Sequence, residues 1–202
     1  MRKQPRQQRS RELVQSLIDA TGRVIVARGI EATTTNHIAK EAGVDIASLY
    51  QYFANKEDLI EALVQNLTER AVLEATRRFA AFDVYAATPA ELLRAVLQIG
   101  IRLARADPVV AAIAQDSRYL FDSAALGVLE SRFQMLATLY FRHHFRSYPI
   151  DDLEVRLHIV SVSAFSTLAR HFAQQPPLIS DDVLVEELVQ MLTPYLSAPR
   201  CP

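Results

Sequence analysis

The sequence predicts an all-α fold, and three observations carry that prediction. Apolar residues recur at spacings of three and four along most of the 202-residue chain, the period of one helix face. Pro89, Pro108, Pro149 and Pro176-Pro177 fall between those segments, where a missing N–H does no harm. No alternating Val/Ile/Thr run with hairpin turn residues interrupts them. Half of the residues are hydrophobic, enough to build a sizeable core.

Taken in order, residues 8–28 form the first amphipathic helix, with Leu13, Leu17, Ala20, Val24 and Ala27 on one stripe. Gly29 follows as a residue that tolerates positive φ, and Gly22 inside the helix is read as a close packing point. Two short helices are expected at 35–42 and 46–53. Thr35 is the expected cap of the first, Gly43 its end and Asp45 the cap of the second. Ile38, Ala39 and Ala42 give the first an inward face, and Leu49, Tyr52 and Phe53 do so for the second. Asn55 caps a long helix over 55–80. Thr88-Pro89-Ala90-Glu91 combines a capping hydroxyl, Pro at the first helical position and Glu at the third, opening 89–106. Further helices are expected over 108–116 and 123–146. Asp151 is the expected cap of 151–174, and the last helix covers 181–196.

Charge is segregated. The totals are 22 Lys+Arg and 23 Asp+Glu, which excludes an indiscriminate polycation. Residues 1–11 nevertheless hold five bases and no acid, and are expected to form a basic arm without structure of its own. The lone Cys201 excludes an intrachain disulfide and a Cys-rich zinc site, in keeping with a reducing cytoplasm. No signal peptide is read, and no stretch approaches the roughly 20 apolar residues of a membrane span. A soluble, cytoplasmic protein is expected.

The informative segment is Thr33–Leu59. Two short helices joined by a Gly-containing turn make a helix-turn-helix, whose second helix enters the DNA major groove. The series Thr35, Ile38-Ala39, Ala42-Gly43-Val44, Asp45, Leu49-Tyr50, Tyr52-Phe53, Asn55-Lys56-Glu57 and Leu59 resembles the TetR family of transcriptional regulators. The resemblance covers roughly residues 8–60. It implies a three-helix DNA-binding head on a helical body that dimerises and usually binds a small molecule. The expected division is a head at 1–54, with the basic arm at 1–11, and a regulatory and dimerisation body at 55–202.

Carried over by that resemblance, the DNA-contacting positions fall on Thr34, Thr35, Asn36, Ile46, Ala47, Ser48, Tyr50, Gln51, Tyr52 and Lys56. Thr35, Tyr50, Tyr52 and Lys56 suit phosphates, which position a protein without reading sequence. Asn36 and Gln51 carry the amides that pair with adenine, and Ile46 and Ala47 suit a thymine methyl. Asp45, Ala47 and Asn36 stand where the family often has Ser, Gly and a basic residue. Asp45 therefore brings a negative charge towards DNA, and Ala47 an extra methyl.

In the body, Leu157–Ala169 carries no formal charge, and its apolar groups spread around the whole helix. Such a helix must be covered on all sides. The apolar arc of 181–196 is likewise wider than the roughly 100° that a core-facing stripe needs. Val160, Ala164, Leu168, Leu184, Leu188, Met191 and Leu192 are the expected homodimer contacts. A two-fold dimer sets two recognition helices about 34–36 Å apart, matching a palindromic duplex. Leu97, Ile101, Tyr119, Phe121, Phe133, His158 and Phe165 are the expected lining of a pocket for a largely apolar effector.

An enzyme is not expected. The chain has no Gly-x-Ser-x-Gly, no phosphate-cradling Gly loop and no His-Glu-x-x-His, and His143-His144 are adjacent rather than one turn apart. No catalytic residue, metal or cofactor is expected. The reading is a one-component DNA-binding regulator, a repressor released from its operator by ligand. The rival is a helical protein-interaction module without sequence-specific DNA binding.

Overall fold

The computed structural model describes residues 4–80, 82–84, 86–114, 124–144, 146–148, 150–174 and 176–197. Among these the chain is helical throughout, with no strand. The helices are α1 (Gln4–Arg28), α2 (Thr35–Ala42), α3 (Ile46–Tyr50), α4 (Lys56–Phe79), α5 (Pro89–Ala106), α6 (Pro108–Ala114), α7 (Ala124–His143), α8 (Leu153–Ala173) and α9 (Asp181–Ser197).

Several expectations are corrected by local chemistry. The basic arm is helical from Gln4 onwards, because Pro5 falls in the first turn and Gln and Arg, both good helix formers, follow it. Thr34, not Thr35, caps α2: it is extended at φ −130°, and its Oγ1 accepts from the His37 N–H at 3.2 Å. That releases the Thr35 side chain for another use. Helix α3 stops at Tyr50, and the chain turns with the Tyr52 and Phe53 N–H groups both donating to the Leu49 carbonyl. Asp152, at φ 52°, takes the position before α8 that Asp151 was expected to fill.

Other signals are met. Gly43 (φ 69°) lets the Val44 N–H reach back to the Ala39 carbonyl, reversing the chain between α2 and α3. Asn55 Oδ1 accepts from the Asp58 N–H at 2.8 Å, while Asp58 Oδ2 accepts from the Ala54 N–H. Thr88 and Glu91 form a reciprocal capping box on α5.

Two apolar cores result. The first joins α1 to α4 through Leu17, Ile25, Ile38, Leu49, Phe53, Leu59, Ile60 and Leu63. It also takes in Val109, Ala112 and Ile113 of α6. A methyl on Gly22 would stand 3.2 Å from Val109 Cγ2, a tight contact, so glycine leaves room for α6 to seat closely against α1. The second core gathers Leu93, Leu97, Ile101, Tyr140, Leu157, Val160, Leu184, Leu188 and Leu192 from α5 and α7 to α9. Helix α9 is fastened to α5 by two forked ion pairs. Arg94 donates to both Glu186 oxygens at 2.7 and 2.9 Å, and Arg105 to both Asp181 oxygens at 3.0 and 2.7 Å. Arg105, with help from the buried His171, holds the Asp181 carboxyl down at about 2.

Candidate nucleic-acid interface

Helix α3 shows one face to the core and another to solvent. Leu49 and Phe53 are buried with Ile38 and Ala39 of α2, anchoring both helices to α1 and α4. At about 100° per residue, that anchoring turns Ala47, Tyr50, Gln51 and Tyr52 outward, and all four are exposed. Thr34 and Asn36 are exposed at the start of α2, and Thr35, Ile46, Ser48 and Lys56 are half-buried. All ten expected DNA-contacting positions therefore lie on α2 and α3, the cap and turn beside them, and the start of α4, and none is fully buried. Tyr52, expected on the inward stripe, is 39% exposed, because the turn after Leu49 swings it away from the core.

The polar tips on this face are held. Tyr50 Oη lies 3.0 Å from Thr35 Oγ1, and Tyr52 Oη lies 3.1 Å from Ser10 Oγ. Lys56 Nζ donates to the Ile30 carbonyl at 3.2 Å, tying the start of α4 to the loop before α2 and leaving the ammonium two further hydrogens. Ser10 belongs to no motif. Nothing in a sequence signals a contact between residues 42 positions apart.

The expected body sites fare differently. Leu97 and Ile101 are buried in the body core, and Phe133 meets Phe165 edge to face at 6.3 Å between α7 and α8. His158 does not join them. Its side chain is 67% exposed, because the neighbouring Leu157 takes the inward direction and the next residue points about 100° away. Tyr119 and Phe121 lie outside the described residues. A shallow cleft of about 320 Å³ opens between α1, α4 and the start of α6, lined by Gly22, Leu63, Leu67 and Val109 among others. None of the expected pocket residues among the described ones lines it.

Most of the expected dimer contacts lie inside the single chain. Val160, Ala164, Leu184, Leu188 and Leu192 are buried within the single chain, and Leu168 packs partly against the same core. The wide arc of α9 is consumed by α5 on one side and α8 on the other, so only Met191 of the seven is exposed. The open apolar face lies elsewhere. On α8, Ser161 and Phe165 meet α7 while Arg156 and His171 meet α9. Val155, Ile159 and Val162 point out between those flanks and are exposed. Met135 and Leu139 of α7 and Met191 of α9, the helices that flank α8, are also exposed. No helix among the described residues is long and apolar enough to cross a membrane.

Comparison with known proteins follows the same division. Residues 17–63 match the profile of the N-terminal domain of "Bacterial regulatory proteins, tetR family". The transcriptional regulator BetI of Rhizobium meliloti is 36% identical over 87 residues, 43% of this chain and 41% of BetI. The nucleoid occlusion factor SlmA of Haemophilus influenzae is 27% identical over 143 residues, 67% of this chain and 64% of SlmA. The matched portions thus cover less than two thirds of either relative. Whole-chain likeness appears among solved structures. A TetR-family regulator from Streptomyces coelicolor superposes at a TM-score of 0.68 with 25% identity, covering 91% of this chain and 97% of that one. FadR from Bacillus subtilis, solved with stearoyl-CoA, superposes at 0.66 with 19% identity, covering 88% and 96%. Residues 17–63 thus carry the N-terminal DNA-binding domain of TetR-family transcriptional regulators, and the helical body has the shape found in solved members of that family.

Proposed function

We propose that the protein is a cytoplasmic, homodimeric repressor that binds a palindromic operator and is released by a small, largely apolar ligand. The observation that carries the DNA reading is the outward face of α3 and its following turn, where Ala47, Tyr50, Gln51 and Tyr52 stand clear of a fixed core. In this reading Gln51 and Asn36 read bases, Ile46, Ala47 and Ser48 pack against the groove, and Thr34, Thr35, Tyr50, Tyr52 and Lys56 hold phosphates. Functionally the head is residues 1–54 and the body 55–202, with α4 reaching into both.

The dimer reading rests on the open face of α8. Val155, Ile159 and Val162 form an exposed apolar row, and pairing it about a two-fold axis removes it from water. The apolar ligand is supported by the body's composition and by the complex of the similarly folded FadR with stearoyl-CoA, whose acyl chain is apolar although its CoA is charged. Its mechanism is population shift: the ligand favours a body conformation that moves the two heads off groove spacing, and operator affinity falls by the coupling free energy. Helix α4 is the lever.

Fluorescence anisotropy on a duplex selected by the protein from random sequences tests this reading, with scrambled competitor and at two salt concentrations. Competitor-resistant binding of two chains per site is expected, and an acyl-CoA series should weaken it. Weak binding that disappears with salt would favour the protein-interaction module instead. A chain that stays monomeric at micromolar concentration would reject the dimer.

A further inference from the structure

The DNA-reading face holds two hydroxyl pairs built alike. Tyr52 Oη sits 3.1 Å from Ser10 Oγ of α1, and Tyr50 Oη sits 3.0 Å from Thr35 Oγ1 of α2. Both tyrosines are exposed, so each pair is open to solvent. Two hydroxyls in contact own two hydrogens, and their mutual bond uses one. One O–H remains, whichever partner donates within the pair. A phosphate oxygen only accepts. Each pair is therefore a single donor, held in place from two separate segments of the head.

Resting on the DNA reading above, we propose that Ser10 and Tyr52 act as one phosphate-binding unit, which brings the N-terminal end of α1 into the DNA interface. Ser10 is not among the positions carried over by resemblance to the family. Its surroundings suit a polyanion: Arg9 and Arg11 flank it and are both exposed, and no acid occurs before Glu12. The helical state of residues 4–11 is what makes the unit possible. A helical backbone holds Ser10 at a fixed position beside Tyr52, whereas a loose arm would first have to be ordered. The Thr35–Tyr50 pair repeats the device from α2 and serves as an internal comparison.

The test uses the full chain and the duplex that the unmodified protein enriches most from a random library. Ser10→Ala and Tyr52→Phe should each weaken binding by about three- to tenfold, the worth of one hydrogen bond. The double variant should bind within about twofold of Tyr52→Phe alone, since the hydroxyl that either single change leaves keeps its hydrogen but loses the partner that aims it. Ser10→Thr, which keeps the hydroxyl, should bind like the unmodified protein. The salt dependence of Ser10→Ala should be unchanged, because no charge is lost. A methylphosphonate scan should show that both single variants lose sensitivity to the same linkage. Melting temperatures of the variants separate binding from folding.

Normal binding by Ser10→Ala overturns the proposal, as do penalties that multiply in the double variant or map to two different linkages. If the unmodified chain enriches no duplex, the DNA reading fails and the paired donor fails with it. If the chain binds and Ser10→Ala is indifferent, the paired donor alone is lost.

Discussion

The head and the body are held together over different distances along the chain. Head helices are capped within three or four residues: Thr34 accepts from the His37 N–H, Asn55 from the Asp58 N–H, and Gly43 closes α2. The body depends on partners far apart in sequence. Arg94 and Glu186 are 92 positions apart, Arg105 and Asp181 are 76, and Arg156 reaches the Tyr195 carbonyl across 39. Caps and turns written locally fix the α2–α3 face from its own neighbours, which suits an element that must fit a groove of fixed dimensions. A structure written over long range is free to have more than one packing, which suits an element that must respond.

Four measurements would break or sharpen that contrast. The largest effect is expected for Leu49→Ala, which empties a fully buried site in the head. It should cost about 2–5 kcal/mol in urea unfolding. If α4 and α6 tie the two cores into one cooperative unit, hydrogen-exchange protection in α8 should fall with it. Unchanged protection there would make head and body independent. Next, Ile159→Asp places a charge on the open face of α8. Sedimentation should then show a monomer, with operator affinity lower by about a hundredfold as the second head is lost. Persistence of the dimer would mean that another surface pairs.

Third, Gln51→Ala should cost about 1–3 kcal/mol on the selected duplex and almost nothing on scrambled DNA. An equal loss on both would demote Gln51 from base reader to backbone contact. The smallest effect is the acid response of the body lock. Asp181 is held at about 2 against an ordinary 3.8, so folding lowers its proton affinity. Its contribution is complete above the ordinary value and disappears as pH falls from about 4 through about 2. With the Asp181 and Arg105 side chains 32% and 41% exposed, about 1–2 kcal/mol is at stake after allowing for solvent screening. Asp181→Asn should remove that step from the acid-unfolding profile. A profile unchanged by the substitution would show that the forked pair is worth little.

The same contrast explains what the sequence disclosed. The head was legible almost throughout, because its caps, turn glycine and inward stripes are local signals. The errors there were local: Thr34 caps where the neighbouring Thr35 was expected, α3 ends at Tyr50 with Tyr52 turned outward, and the arm is helical from Gln4. Body helices were legible as segments, and Thr88-Pro89-Ala90-Glu91 declared the start of α5 outright. Their orientation was not. A helical wheel gives the angle between Leu188 and Met191, but not the side from which α5 arrives. Leu188 is buried and Met191 exposed for that reason. The polar clasps between Arg94 and Glu186 and between Ser10 and Tyr52 were invisible for the same cause. Single charges and hydroxyls carry no period, and only the fold brings them together.

The seating of α6 against Gly22 has a consequence for anyone who would exchange parts between regulators. Covalently, α6 follows a body helix, yet Val109, Ala112 and Ile113 pack in the head's core. A chimaera spliced at the end of α4 would carry a reading head with a missing keystone. The donor body, in turn, would be left with a greasy peg and no socket. A graft that keeps its specificity therefore has to bring the peg along, or reshape the socket around Gly22 to accept a foreign one. The unit of inheritance for operator choice is discontinuous in sequence: the first four helices together with a seven-residue helix that begins at Pro108.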